Sequence, residues 1–146
     1  MTSARIGSLL NAVDGLEHLL IMPHNDPDPD AIASAVALWH LFSVQLDLAI
    51  DIVYKGIVGR AENKALVRYL GYPIRRMTHD EPCPSLPVAL VDTQPGAGNN
   101  AVTSKCDVRI VIDHHPRPES SVRSAFHDVR STVGATSTIL TQYLRE

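Results

Sequence analysis

"MPHNDPDPDAIASAVAL", residues 22–38, leads the chain out of an apolar run, through an acidic turn held between prolines, and into a helix-like pattern. A proline disfavours α geometry in the residue before it, so Pro27 and Pro29 are expected to push Asp26 and Asp28 toward extended backbone. With Asp28 as a helix cap, Pro29 falls at the first helical position, where its missing N–H costs nothing. Asp30 then lies in the first turn, where the helix dipole favours its charge. The stretch therefore reads as strand, turn and helix, with His24, Asp28 and Asp30 at the junction. Taken alone, it is either an acidic turn or half of a metal site.

The flanking sequence extends this unit in both directions. "HLLIM" (18–22) is a short buried strand, and "DAIASAVALWHLF" (30–42) is a helix so uniformly small or apolar that it must lie against a sheet. Upstream, "ARIGSLLNAVDGLEHL" (4–19) has apolar residues at 6, 9, 10, 13, 16 and 19, the spacing of an amphipathic helix. Downstream, "LDLAIDIVY" (46–54) alternates as a strand does, and "RAENKALVRYLG" (60–71) predicts a helix closed by Gly71. "PVALVD" (87–92) and "DVRIVIDHH" (107–115) are further strands, and "VGATSTILTQYLRE" (133–146) a final helix with Thr136 or Ser137 placed to cap it. The proline-rich "DEPCPSLP" (80–87) predicts a long surface loop. Strands alternating with helices in this rhythm predict an α/β fold: a doubly wound parallel sheet with helices on both faces.

Length and composition are consistent with one domain. The chain has 146 residues, 45% hydrophobic and 20% charged, with a net charge of −3. That balance argues against disorder, and it supplies no global attraction for nucleic acid or an acidic membrane surface. Cys83 and Cys106 have no spacing that signals a pair, and no apolar run approaches the roughly 20 residues of a membrane span. A reducing, cytoplasmic setting is the expectation.

Three strands end in groups able to bind a cation: the first at His24, Asp28 and Asp30, another at Asp92, and a third at Asp113, His114 and His115. In an open parallel sheet, ligands bind in the crevice beyond the carboxyl ends of the strands, so the three clusters should converge. Carboxylates and imidazoles crowded into one crevice would repel or protonate one another without a cation among them. No thiolate belongs to the set, and mixed oxygen and imidazole donors suit Mn²⁺ better than Co²⁺, Mg²⁺ or Fe²⁺. Two such ions about 3.5–4 Å apart form the arrangement that hydrolyses phosphate esters and anhydrides, and Asp92 is the candidate bridge.

These motifs resemble those of the DHH phosphoesterase superfamily. "HNDPDPDA" is similar to its first motif, "VDT" to its second and "IDHHP" to the motif that names it; "VGATSTILTQYL" resembles the following helix in the oligoribonuclease/pAp phosphatase branch of these RecJ-like proteins. The resemblance implies that His24 and Asp28 hold one Mn²⁺ while Asp30 and His114 hold the other, with Asp92 between them. It implies that His115 contacts the scissile phosphate or assists proton transfer, and that Asp113 orients a histidine. Residues 1–146 would then be the N-terminal part of a DHH catalytic domain, lacking the family's fourth metal-binding aspartate and its C-terminal substrate-binding domain, DHHA1. Asp128 is the one acid of the tail near a short strand, and its position does not match the fourth motif.

The function expected on these grounds is metal-dependent hydrolysis of phosphodiester or phosphomonoester bonds in short nucleotides: oligoribonucleotides, pAp or cyclic dinucleotides. The alternatives are a catalytically impaired nucleotide-binding or regulatory module, and a phosphoanhydride hydrolase of the exopolyphosphatase or pyrophosphatase type. By itself the chain is expected to bind Mn²⁺ weakly and hydrolyse little. A homodimer is compatible with it, and a membrane partner is not expected. His18, His40, His79 and His127 stand apart from the clusters, Ser34 has no base beside it, Trp39 fits the core, and Lys55, Arg60 and Lys64 fit a solvated loop better than a polyanion site.

Overall fold

The computed structural model describes residues 2–78, 86–116 and 124–146. Its elements follow in the order α1 (Thr2–Asn11), β1 (His18–Pro23), α2 (Pro29–Gln45), β2 (Ala49–Tyr54), α3 (Ala61–Leu70), β3 (Ile74–Arg76), β4 (Val88–Val91), β5 (Val108–Asp113), β6 (Phe126–Val129) and α4 (Thr136–Leu144). His79 and most of the proline-rich stretch lie outside the described residues. All six strands pair in parallel, in the order β3-β2-β1-β4-β5-β6. This is the expected doubly wound α/β arrangement, and the strand order reverses between β1 and β4, where such sheets open their ligand crevice.

The apolar runs decide which strands are central. β1 and β4 are buried along almost their whole length, as strands with both faces covered must be. On one face Leu19, Ile21, Ile52, Ala89, Val91, Ile110 and Ile112 pack with residues of α1, α2 and α4, among them Leu9, Leu38, Phe42, Ile139 and Tyr143. The opposite face, Leu20, Met22, Val53, Leu90 and Val111, is closed by Met77 and by Leu86, Ala101, Val102 and Cys106 of the connecting segments. Alanines 31 and 35 and Ser34 allow α2 to lie close against the sheet. Trp39 is only half buried, with its indole N–H donated to the Ile50 carbonyl at 3.2 Å and its ring edge-on to Tyr72.

Several boundaries differ from expectation. The first helix stops at Asn11 instead of reaching residue 19, because Gly15 adopts a left-handed turn (φ 73°) and His18 enters the sheet beside Ala49. Leu19 thus belongs to a strand although it falls on the helical spacing. β3 is a three-residue edge strand with one apolar residue, Ile74, too short to leave a periodic signal. Gly71 closes α3 in the left-handed conformation, as its position predicts. Neither Thr136 nor Ser137 caps α4 with its side chain; Ala135 occupies the cap, and Asp30 of α2 serves the helix instead. Cys106 is disulfide-bonded, which the spacing did not suggest, and Cys83 lies outside the described residues. No described helix is long and apolar enough to cross a membrane.

Candidate metal centre

The turn after β1 is built by its prolines and acids. Asp28 is extended (φ −90°, ψ 179°), and its carboxylate accepts the Ala31 N–H at 3.0 Å, with Pro29 at the start of α2. Asp26 is not extended: its φ is 53°. Its N–H donates to the Lys55 carbonyl at 2.9 Å and its carboxylate accepts the Ile57 N–H at 2.7 Å, contacts that outweigh the preference set by Pro27. A side chain on Gly56 (φ 89°) would collide with Asp26, so glycine is required there.

Asp92, the first residue after β4, is also left-handed (φ 59°) and 2% exposed. Its two carboxylate oxygens face in different directions. Oδ2 lies 3.6 Å from His24 Nε2, while Oδ1 lies 3.6 Å from His114 Nε2 and 3.7 Å from His115 Nδ1. Around it, Asp28 Oδ1 is 3.7 Å from His24 Nε2, and Asp30 Oδ2 is 3.8 Å from His114 Nε2. Strand ends from β1, β4 and β5 therefore bring together His24, Asp28, Asp30, Asp92, His114 and His115, the residues singled out in the sequence.

The imidazoles of His24 and His114 are oriented alike. His24 donates Nδ1–H to the Asn25 carbonyl at 2.8 Å, and His114 donates Nδ1–H to the Val133 carbonyl at 3.3 Å. In the neutral ring that a metal ligand must be, this places the proton on Nδ1 and turns each Nε2 lone pair toward carboxylate oxygens that are too far away for a hydrogen bond. Lone pairs gathered around a gap of this kind fit a cation, and two triplets of donors, His24–Asp28–Asp92 and Asp92–His114–His115, are close enough to hold one. His115 is the weaker member, because its Nδ1 donates to Asp113 Oδ1 at 2.8 Å.

Hydrogen bonds hold the centre from behind. Asp113 is buried; its Oδ1 also accepts the backbone N–H groups of His114 and His115, and its Oδ2 accepts from Gln94 at 2.8 Å. Thr136 donates its hydroxyl to Asp92 Oδ1 at 2.8 Å. Asp30 accepts the N–H of Thr136 on Oδ2 and of Ser137 on Oδ1, both at 2.8 Å. Gln94 went unnoticed in the sequence, and Thr136 stood out there only as a helix-cap candidate, not as a partner of Asp92. Polar residues two after the aspartate of "VDT" and at the head of "TSTIL" are the only traces they leave.

The electrostatics follow from these contacts. Burial, with the Asp30 charge adding to it, pushes the Asp92 carboxyl up despite the hydrogen bond from Thr136. Burial would also raise Asp30, but hydrogen bonds from Ser137 and Thr136 and the His114 charge outweigh it, and its carboxyl is held low. The hydrogen bond to Asp113 raises His115, against its partial burial.

The other candidates lie elsewhere. Asp128 is inside β6, buried, with Arg130 Nη2 at 2.6 Å, Arg5 at 2.7 Å and the Tyr143 hydroxyl at 2.5 Å. It anchors α1 and α4 to the sheet and has no contact with the centre. His18 pairs with Asp51 at 2.9 Å where β1 and β2 begin, the opposite end of the sheet. His40 and His127 are exposed, and Ser34 is buried within α2.

Comparison with known proteins identifies the family and the fold. Residues 18–146 match the DHH family, N-terminal domain. An uncharacterized protein of Methanocaldococcus jannaschii is 38% identical over 128 residues, 88% of this chain and 26% of that protein. Among solved structures, an exopolyphosphatase-related protein from Bacteroides fragilis superposes with a TM-score of 0.63 at 16% identity, over 98% of this chain and 43% of the other. A putative family II inorganic pyrophosphatase of Methanococcus jannaschii superposes with a TM-score of 0.61 at 21% identity, over 85% and 38%. The chain thus spans about a quarter of the curated relative it matches.

Proposed function

This chain belongs to the DHH family through its N-terminal domain, and from that premise we propose that it is the metal-bearing part of a phosphoesterase acting on short nucleotides through two Mn²⁺ ions. Family membership and the two donor triplets support a metal-dependent hydrolase in general terms. The observation that carries the dinuclear reading is Asp92, whose oxygens face His24 Nε2 on one side and His114 Nε2 on the other.

In this proposal His24, Asp28 and Asp92 hold one ion, and Asp30, Asp92 and His114 the other, with Co²⁺ or Mg²⁺ as substitutes. Asp30 takes precedence over His115 in the second set because the His115 Nδ1 is committed to Asp113. Bound ions supply Lewis-acid stabilisation of charge on the phosphate oxygens and make water acidic enough to act as a nucleophile near neutral pH. The chain does the rest. His115, protonated more readily than a free histidine, keeps a proton to donate to a phosphate or leaving-group oxygen. Asp113 fixes the ring of His115, and Gln94 fixes Asp113.

A short single-stranded oligonucleotide or nucleotide as substrate and a further substrate-side domain on a longer chain belong to the same proposal. The share of the relatives that this chain spans supports the last of these. A second reading, a nucleotide-binding module with impaired catalysis, draws on one observation: among the described residues Asp92 is the only carboxylate shared by the two triplets. Mn²⁺-dependent hydrolysis of a short oligoribonucleotide decides between them. The protein containing this domain should cleave it, and the double variant Asp113→Ala/His114→Ala should lose nearly all activity. Retention of a tenth would sink the proposal.

A further inference from the structure

Beside the metal centre, the sheet edge formed by β2 and β3 and the helix α3 that joins them carry cations with no role in the reading above. Lys55, Arg60, Lys64, Arg68 and Arg76 are all exposed, and none has an ion-pair partner among the described residues, in a chain of net charge −3. They line three adjoining hollows. One of about 630 Å³ lies between Asn25, Lys55 and Arg76. One of about 500 Å³ runs from Asp28 to Arg60 and Asn63, and one of about 440 Å³ lies between Tyr54, Lys64, Arg68 and Arg76. The first two share Asp26, the first and third share Arg76, and the last two share Ile57 and Gly59, so they form one trough that opens at Asp28 onto the metal centre.

Two features of the trough point to an anionic ligand that also makes other contacts. The N-terminus of α3, a ten-residue helix, enters it without a side-chain cap hydrogen bond from Arg60, and such a helix end favours an anion. Between the cations lies apolar surface: Ile57 is 57% exposed, with Tyr54, Val58 and Val67 beside it. Inorganic phosphate chains have no use for such a surface, whereas nucleobases do.

We propose that this trough is a subsite for the nucleotides next to the scissile phosphate of a single-stranded oligonucleotide, with Lys55, Arg60 and Arg76 on its phosphates and Ile57 against a base. The proposal deepens the phosphoesterase reading and rests on it for the position of the scissile phosphate. Its test does not depend on turnover. In EDTA and at low salt, anisotropy of a fluorescent hexaribonucleotide should report binding to the chain. The variant Lys55→Gln/Arg60→Gln/Arg76→Gln should weaken that binding at least tenfold and flatten the log–log salt slope by about 2, at about 0.7 per lost contact. Arg76→Gln alone should flatten it by about 0.7, and Lys105→Gln, outside the trough, should change nothing. Ile57→Ser should weaken the oligonucleotide and leave a hexaphosphate competitor unaffected.

Unchanged affinity and slope in a folded triple variant, or in Arg76→Gln, would overturn the proposal. So would a hexaphosphate that competes as well as the oligonucleotide, or oligonucleotide binding that ignores Ile57→Ser, since the occupant would then be a phosphoanhydride chain. Trough-dependent binding by a protein without metal-dependent hydrolysis would support the subsite and remove the phosphoesterase reading, so the two can fail separately.

Discussion

Thr136 donates its hydroxyl to Asp92 Oδ1 at 2.8 Å across 44 residues of sequence, so the last helix of the chain holds the carboxylate on which both donor triplets converge. Helix α4 is in turn seated by Asp30, which accepts its first N–H groups. Helix α4 and the centre are one hydrogen-bonded unit.

Thr136→Val tests that link. The side chains are similar in volume and Thr136 is fully buried, so the fold should survive with a loss of about 1 kcal/mol. Affinity for Mn²⁺ should fall about tenfold or more, the usual effect of removing a supporting hydrogen bond. Isothermal titration of the chain with MnCl₂ measures it, and unaltered affinity would show that Thr136 is only a packing residue.

Asp30→Ala should have two separable effects. In EDTA it removes the partner of the α4 N-terminus and should lower stability by about 1–2 kcal/mol in urea melts. His114→Ala, which leaves α4 seated, should not. Both should weaken Mn²⁺ binding. Equal stability of the two variants in EDTA would contradict the capping role.

The pH profile should report His115. Its pKa is raised, first by the hydrogen bond to Asp113, so the protonated form persists above the ordinary histidine range and is lost as pH rises through the raised value. A reaction needing that proton should fall on the alkaline side. Asp113→Asn should move this limb to lower pH and lower kcat about 10–100-fold. A profile that does not move would remove His115 as the acid.

Asp128 should matter for stability and not for chemistry. Burial alone would raise its carboxyl, but hydrogen bonds from Arg130 and Tyr143 and the Arg5 charge hold it below the usual range, while burial and Asp128 push Tyr143 to about 12. A depressed folded-state pKa contributes stability that is present above the unfolded value of about 3.9 and is lost as pH falls through the folded one. Asp128→Asn should therefore destabilise the fold by about 3 kcal/mol at pH 7, with a smaller gap from wild type in acid. Mn²⁺ affinity should be unchanged; a selective loss of metal would place Asp128 in the centre after all.

The strands and the convergence of the site were legible because each central strand is a run of Val, Ile and Leu that ends abruptly in acid or imidazole. In a parallel sheet such ends can only meet. The supporting layer was not legible, because its contacts cross the chain: Gln94 reaches Asp113, and Thr136 reaches Asp92 and Asp30. Local rules also failed where a distant contact was stronger. Asp26 takes a left-handed turn because Lys55 and Ile57 hold it, and α4 goes without the Thr or Ser cap because Asp30 fills that place. The edge strand β3, with a single apolar residue, has no periodicity to read.

Mn²⁺ uptake by wild type and by Asp92→Ala, followed by electron paramagnetic resonance at saturating metal, bears most directly on the dinuclear centre. Two ions per chain with the signal of a coupled pair are expected for wild type, and neither ion for the variant, because the carboxylate they share is gone. A wild-type chain that takes up no Mn²⁺, or an Asp92→Ala variant that still holds both ions, would show that the two imidazoles do not share a metal pair through Asp92.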